Sequence, residues 1–234
     1  MEKNNGCAKI MAFGGCLCSI AILLFVVFCL RSVVNWVKGF GHTEYQPPAA
    51  FQDTLDRYKN DSVDLRFDLP EGMEFVSEGK DTDLENLTGI HQEMKAQNNF
   101  GQTLVIVYDL AALNAFQQSL NGTETTGDIV PFSLDTTEEQ TLSYMLDGIT
   151  QEFGGDAWQK SDSEYIDFAG KEYLSATWRI GMESEGGEQY ILYIRGYACR
   201  KDDLMVYVMI SAHGSTIEET EQRLEQISGC YRKA

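Results

Sequence analysis

The sequence predicts an α+β protein: an antiparallel β-sheet flanked by helices, preceded by one N-terminal transmembrane helix. Three observations carry this. Residues 10–30 form one apolar run without a charged side chain. Apolar and polar residues alternate with period two over 63–69 and through much of the last third, the pattern of strands with one buried face. Two further segments place apolar residues at helical spacing behind capping signals.

The N-terminal run, bounded by Lys9 and Arg31, comes first. A helix rises ~1.5 Å per residue, so this one would span about 30 Å, the thickness of a bilayer's hydrocarbon core. A helix also satisfies its own backbone groups where no water is present. The run is longer than the apolar core of a signal peptide, and no small-x-small cleavage site follows it. Residues 1–9 are a short tail, 10–30 the span, 31–50 a juxtamembrane segment and linker, and 51–234 an acidic α+β domain. Lys3, Lys9 and the α-amino group set the N-terminus in the cytoplasm and the domain outside. Trp36, Lys38 and Phe40 suit a membrane interface, and Gly39, Gly41, Pro47 and Pro48 break regular structure beyond it.

The formal net charge is −18. The first 44 residues carry more basic than acidic side chains, so the acidity belongs to the domain. Phosphate backbones and anionic headgroups would repel it, which excludes a nucleic-acid partner. The expected contacts are the lipid bilayer through 10–30 and a protein partner in the membrane or envelope.

Within the domain, 51–60 is expected as a short entering helix. Val63, Leu65, Phe67 and Leu69 alternate with polar residues as a strand, ended by Pro70-Glu71-Gly72. Met73 to Val76 resumes as a strand. Ser77 to Thr88 is polar and is expected as a solvated loop. Its Asp81, Asp83 and Glu85 lack the glycine and closing glutamate of a calcium loop. Ile90 to Lys95 suits an edge strand, and Thr103 to Tyr108 a central strand covered on both faces. Leu110 to Leu120 has helical composition, and 121–128 that of a loop.

Thr136 and Glu139 match a capping box. Leu142, Met145, Leu146, Ile149 and Phe153 then form one helical stripe, closed by Gly154-Gly155. Strands are expected over 158–168, 174–182, 189–199 and 204–212, joined by short turns into an antiparallel meander. Ser215 and Glu218 suggest a second capping box. It would open a final helix with Ile217, Leu224 and Ile227 inward and Gly229 at its end.

Six cysteines are present, four of them in or beside the apolar run. Cys199 and Cys230 alone lie in the domain, where an oxidising compartment would allow one disulfide between them. No cysteine or histidine spacing suggests zinc, and no cofactor is expected. Of three histidines, His42 falls in the linker, while His213 sits at a strand-to-helix junction. No nucleophile elbow, phosphate loop or dinucleotide fingerprint occurs, so no catalytic residue is assigned. Tyr190, Tyr193, Tyr197 and Tyr207 on adjacent strands are candidates for a binding surface, since tyrosine offers rigid contact area with a polar tip; ordinary sheet packing is the competing role. Three glycosylation sequons occur, at Asn60, Asn86 and Asn121, each in an expected loop.

The segment FDLPEGMEF (Phe67–Phe75), the capped helix beginning near Thr136 and the meander after Gly170 together give a pattern that resembles the Mog1/PsbP-like α/β/α sandwich. That resemblance implies a domain of an exported or membrane-anchored bacterial protein, over about residues 60–230. Such relatives bind or assist other proteins and share no catalytic set. The expectation is therefore a membrane-anchored, extracytoplasmic binding or accessory module without catalysis. Two other roles stay open: a tethered hydrolase acting on an envelope polymer through carboxylates, and a structural subunit of a membrane complex.

Overall fold

A computed structural model describes residues 56–76, 82–120, 132–152, 157–183, 187 and 189–234. The span expected over 10–30 lies outside them, as do the loop at 121–128 and the helix end at 154–155. Among the described residues no helix is long and apolar enough to cross a membrane.

Eleven strands and four helices are described: β1 (Arg57–Asn60), β2 (Leu65–Asp68), β3 (Glu74–Phe75), α1 (Thr82–Thr88), β4 (Ile90–Gln97), β5 (Gly101–Asp109), α2 (Leu110–Leu120), α3 (Glu138–Glu152), β6 (Gln159–Lys160), β7 (Glu164–Phe168), β8 (Lys171–Glu183), β9 (Gln189–Lys201), β10 (Leu204–Gly214), α4 (Ile217–Ser228) and β11 (Tyr231–Arg232). An eight-stranded antiparallel sheet runs β3-β4-β5-β10-β9-β8-β6, with β7 also paired to β8. A second sheet of three strands runs β1-β2-β11.

The large sheet is covered on both faces. On one, Val105, Val107, Val206, Val208 and Ile210 join Tyr58, Leu65 and Phe67 of the small sheet and Leu224 and Ile227 of α4. On the other, Leu104, Ile106, Met205 and Met209 join Leu113 of α2 and Leu142, Leu146 and Ile149 of α3. This double cover explains why every residue of β5 is buried, as its unbroken apolar run predicts. Burying one such aliphatic side chain contributes about 1.5–3 kcal/mol, so the two faces rather than any polar contact hold the sheet. The α3 layer approaches so closely that a Cβ on Gly196 would stand 2.8 Å from side-chain carbons of both Leu142 and Leu146.

The expected fold class therefore holds for the described domain, and the meander β8-β9-β10 forms as expected. Its companion turn at Ala169-Gly170 has both residues at positive φ (57° and 78°), the conformation that joins two strands through two residues. Several local expectations change. The entering helix at 51–60 is not seen where described: Arg57–Asn60 is a strand with alternating burial, paired to β2. Residues 82–88 of the expected loop are helix α1, which packs against α2. Both capping boxes shift by one residue. At α3, Thr137 N–H donates to Gln140 Oε1 (2.9 Å) and Gln140 N–H to Thr137 Oγ1 (3.3 Å). At α4 the N-cap is Thr216, whose hydroxyl accepts from Glu219 N–H. Adjacent Thr-Thr and Ser-Thr pairs offer two registers, and the helix takes the one that its inward stripe needs. Ile217 consequently stays 44% exposed, and Thr220 takes the inner position instead.

Candidate functional site

Exposed large apolar side chains are few among the described residues: Phe100, Leu134, Tyr165 and Ile217. Phe100 is held most firmly. It sits in the tight turn between β4 and β5. Asn98 Oδ1 accepts from the N–H groups of both Phe100 (2.8 Å) and Gly101 (2.9 Å), and Asn98 N–H donates to Gly101 O. This is the local reason for the turn: an asparagine side chain takes the place of a backbone acceptor. The neighbouring strand locks it, since His213 N–H donates to Phe100 O at 2.9 Å.

Around Phe100 the fold gathers a row of rings. The His213 ring centroid is 6.1 Å from that of Phe100, and Tyr190 meets His213 edge-on at 5.9 Å. Arg223 of α4 lays its guanidinium over the Phe100 ring, 4.1 Å from the centroid. That cation is fixed in turn by Glu219 (2.6 Å) and by the backbone oxygen of His213. An aromatic face attracts a cation in this position, and the planar guanidinium can stack there. His213 Nε2 lies 2.8 Å from Asn99 O. A carbonyl only accepts, so Nε2 carries the hydrogen. Burial lowers the His213 pKa, and the positive charge of Arg223 acts in the same direction, against the bond to Asn99. The imidazole is therefore neutral at pH 7.

Phe100, Tyr190 and Arg223 are of the types enriched at protein contact surfaces, and the Arg223 side chain is already held in place. The positions of these three and of His213 come from two strands, a tight turn and one helix, so the fold itself fixes the row.

A second polar group lies in the core. Strand β4 bulges between Gln92 and Met94, and Glu93 turns beneath the small sheet. It is 2% exposed. Glu93 Oε2 accepts from the Tyr58 hydroxyl and from Asn60 Nδ2 (2.7 Å), both on β1. Burial pushes the Glu93 carboxyl well above the usual range, so it holds its proton to higher pH than an exposed glutamate does. A carboxyl of raised pKa is a common mark of catalysis, but Tyr58, Asn60 and Glu93 are all shut from solvent. This group ties β1 to the large sheet and does not face a substrate.

The four tyrosines singled out from sequence do not form one surface. Tyr193 and Tyr197 lie in the core beneath α4 and the small sheet, with Tyr197 stacked on Phe168 at 3.9 Å. Tyr207 lies in the opposite core beneath α3. All three are buried, which leaves no area for an outside partner; only Tyr190 keeps partial exposure and joins the ring row. Cys199 and Cys230 are free thiols, so the expected bridge is not formed. Each sulfur instead faces a backbone oxygen, Arg200 O for Cys199 and Gln226 O for Cys230. Burial raises both thiol pKa values, so both stay protonated. Asn60 ends a strand with its amide engaged in the core, so the folded chain cannot present that sequon. Asn86 is half-buried on α1, and Asn121 lies outside the described residues. Phe100, Arg223 and Glu93 escaped the sequence reading. An apolar residue within Asn98-Asn99-Phe100-Gly101 was the one legible signal, since turn tips are ordinarily polar.

No family model matches the chain, and no curated protein matches it. Solved structures do. PsbP (CyanoP) from Synechocystis sp. PCC 6803 aligns with TM-score 0.42 and 11% identity over 76% of this chain and 91% of its own. LpqN of Mycobacterium tuberculosis, described as involved in cell envelope biogenesis, aligns with TM-score 0.38 and 9% identity over 78% of this chain and 87% of its own. A PsbP protein is thus among the structural matches. At these scores neither protein's role transfers to this chain.

Proposed function

We propose that this chain is a membrane-tethered binding module. Its acidic domain stands outside the membrane on the helix of residues 10–30 and contacts a protein partner through the Phe100–His213–Tyr190 row. The single observation behind this reading is the exposed ring of Phe100, held on a tight turn and backed by Arg223. An exposed phenyl ring loses hydrophobic free energy in water unless something covers it. The occupant is a protein segment carrying an apolar or aromatic anchor for that ring, with a carboxylate or backbone carbonyl for Arg223. Anionic lipid is a poor alternative for a chain of net charge −18.

The test is capture of the full-length chain from native membranes in mild detergent. One stoichiometric partner should be retained by the parent and by Leu134→Ala, which removes an exposed apolar residue elsewhere. Phe100→Ala and Tyr190→Ala should each weaken retention by about tenfold or more, the scale of a contact hot spot. Equal retention by all four forms would remove the ring row from the proposal. Protease added to intact cells should digest the domain; protection until lysis would reverse the orientation.

A further inference from the structure

Among the described residues, strand β7 leaves one side of the large sheet open. It pairs with β8 through the register Glu164↔Ser175 to Phe168↔Lys171. The two-residue turn at Ala169-Gly170 closes on the Phe168–Lys171 pair. Along an antiparallel hairpin the inward hydrogen-bonding pairs alternate. Phe168, Ile166 and Glu164 therefore point their backbone groups at β8, and Tyr165 and Asp167 point theirs outward. Among the described residues, no backbone bond from another segment reaches those outward groups.

An open edge is a template for another strand, and proteins usually blunt it with charge, lysine above all. This edge carries acids instead, Asp162, Glu164 and Asp167, all exposed. It also carries Tyr165, the most exposed large apolar residue of the described chain at 60%. Glu138 of α3, then Glu172 of β8 and Glu139 of α3, lie near enough to raise the Tyr165 pKa. Two neighbouring lysines are engaged elsewhere. Lys171 pairs with Asp64 at 2.7 Å and donates to Val63 O at 3.1 Å, while Lys160 sits over the Trp178 ring. A ring with an open backbone beside it and acids around it selects by charge. It repels anionic surfaces, and it repels a second copy of this chain, whose own acids would face these.

We propose that the outer edge of β7 receives an extended cationic segment of a partner protein, which adds to the large sheet as a further strand. The backbone groups of Tyr165 and Asp167 supply the ladder, the Tyr165 ring covers the incoming chain, and the acids pair with lysine or arginine side chains that alternate along it. This surface is separate from the ring row and does not depend on it.

The experiment uses the full-length chain in zwitterionic detergent and two short capped peptides. One alternates Lys with Val and Thr; the other has Glu in place of Lys. The cationic peptide should bind and slow amide exchange at Tyr165 and Asp167, and the acidic one should do neither. Asp167→Pro removes an outward N–H that the native fold does not use. It should weaken binding by about tenfold or more, whereas Asp167→Asn, which keeps the N–H, should weaken it by only ~2–3-fold. Equal binding of both peptides, no binding of either, or protection confined to another site would overturn the proposal. So would an Asp167→Pro effect no larger than that of Asp167→Asn. Concentration-dependent dimers that protect the same two amides would hand the edge to a second copy and refute the cationic partner. The exchange measurement on the parent chain decides even if a variant folds poorly.

Discussion

Glu93 supports a quantitative prediction. Its carboxyl sits 2% exposed under the small sheet and holds Tyr58 and Asn60. Burial raises its pKa well above 4.5, the value expected in the unfolded chain. The native state therefore keeps a proton that the unfolded state releases. Below pH 4.5 both states are protonated and the carboxyl imposes no penalty. Above it, stability falls by up to ~1.4 kcal/mol per pH unit until the folded pKa is passed. Glu93→Gln keeps an acceptor oxygen but has no proton to lose. It should match the parent near pH 4 and become the more stable of the two as pH rises through neutrality. Glu93→Ala is a different perturbation. It takes this acceptor from two buried donors, at about 1–3 kcal/mol for each, so a loss of about 2–6 kcal/mol at pH 4 is expected. Chemical denaturation followed by tryptophan fluorescence, repeated from pH 4 to 8, measures all three. Asp64, whose pKa is lowered by its bonds to Lys171 and then Lys201, gives stability that is lost as pH falls below its unfolded value of 3.8. That effect is common to the three proteins and cancels in their differences. A constant gap between the parent and Glu93→Gln across the range would refute the argument, because it would mean the carboxyl binds its proton equally in the folded and unfolded chain.

Other perturbations test the packing and the caps. Gly196→Ala should destabilise by about 1–3 kcal/mol, since Leu142 and Leu146 would have to move from the new methyl; an unchanged melting temperature would show that α3 is loosely seated. Thr216→Ala should cost about 1 kcal/mol in helix capping and Ser215→Ala much less, because Thr216 is the residue bonded to Glu219 N–H; the reverse order would restore the register expected from sequence. Alkylation of the unfolded, unreduced chain should label both Cys199 and Cys230, and mass spectrometry showing a linked pair instead would contradict the free thiols.

Much of the architecture is legible in the sequence. The strand at 103–108 is apolar without alternation, and its structure is buried on both faces. The meander followed from short turns, the helix near 110 from composition, and the helices near 138 and 217 from spacing and capping signals. What failed was local register. The choice between Thr136 and Thr137, or Ser215 and Thr216, is settled by which face of the helix meets the sheet. Tyr207 shows the same limit between strands. It lies opposite Ala198, so it shares a face with even-numbered residues of β9, not with Tyr193 or Tyr197. Counting outward from the turn at Asp202-Asp203 could have shown this, because a two-residue turn sets the pairing.

The candidate sites were the least legible. Phe100 and Arg223 are separated by most of the domain's length, and their stacking exists only because α4 lies along the end of β10. Glu93 looks like one more polar residue of an edge strand until the bulge turns it inward. By itself the sequence determined the apolar N-terminal run, the acidity, the fold class and most element types, since these rest on composition and on periods of two and 3.6. Only the tertiary structure decided which rings meet, which carboxyl is dry and which strand edge has no neighbour among the described residues. Those properties belong to pairs of residues distant along the chain, and nothing local in the backbone encodes their meeting.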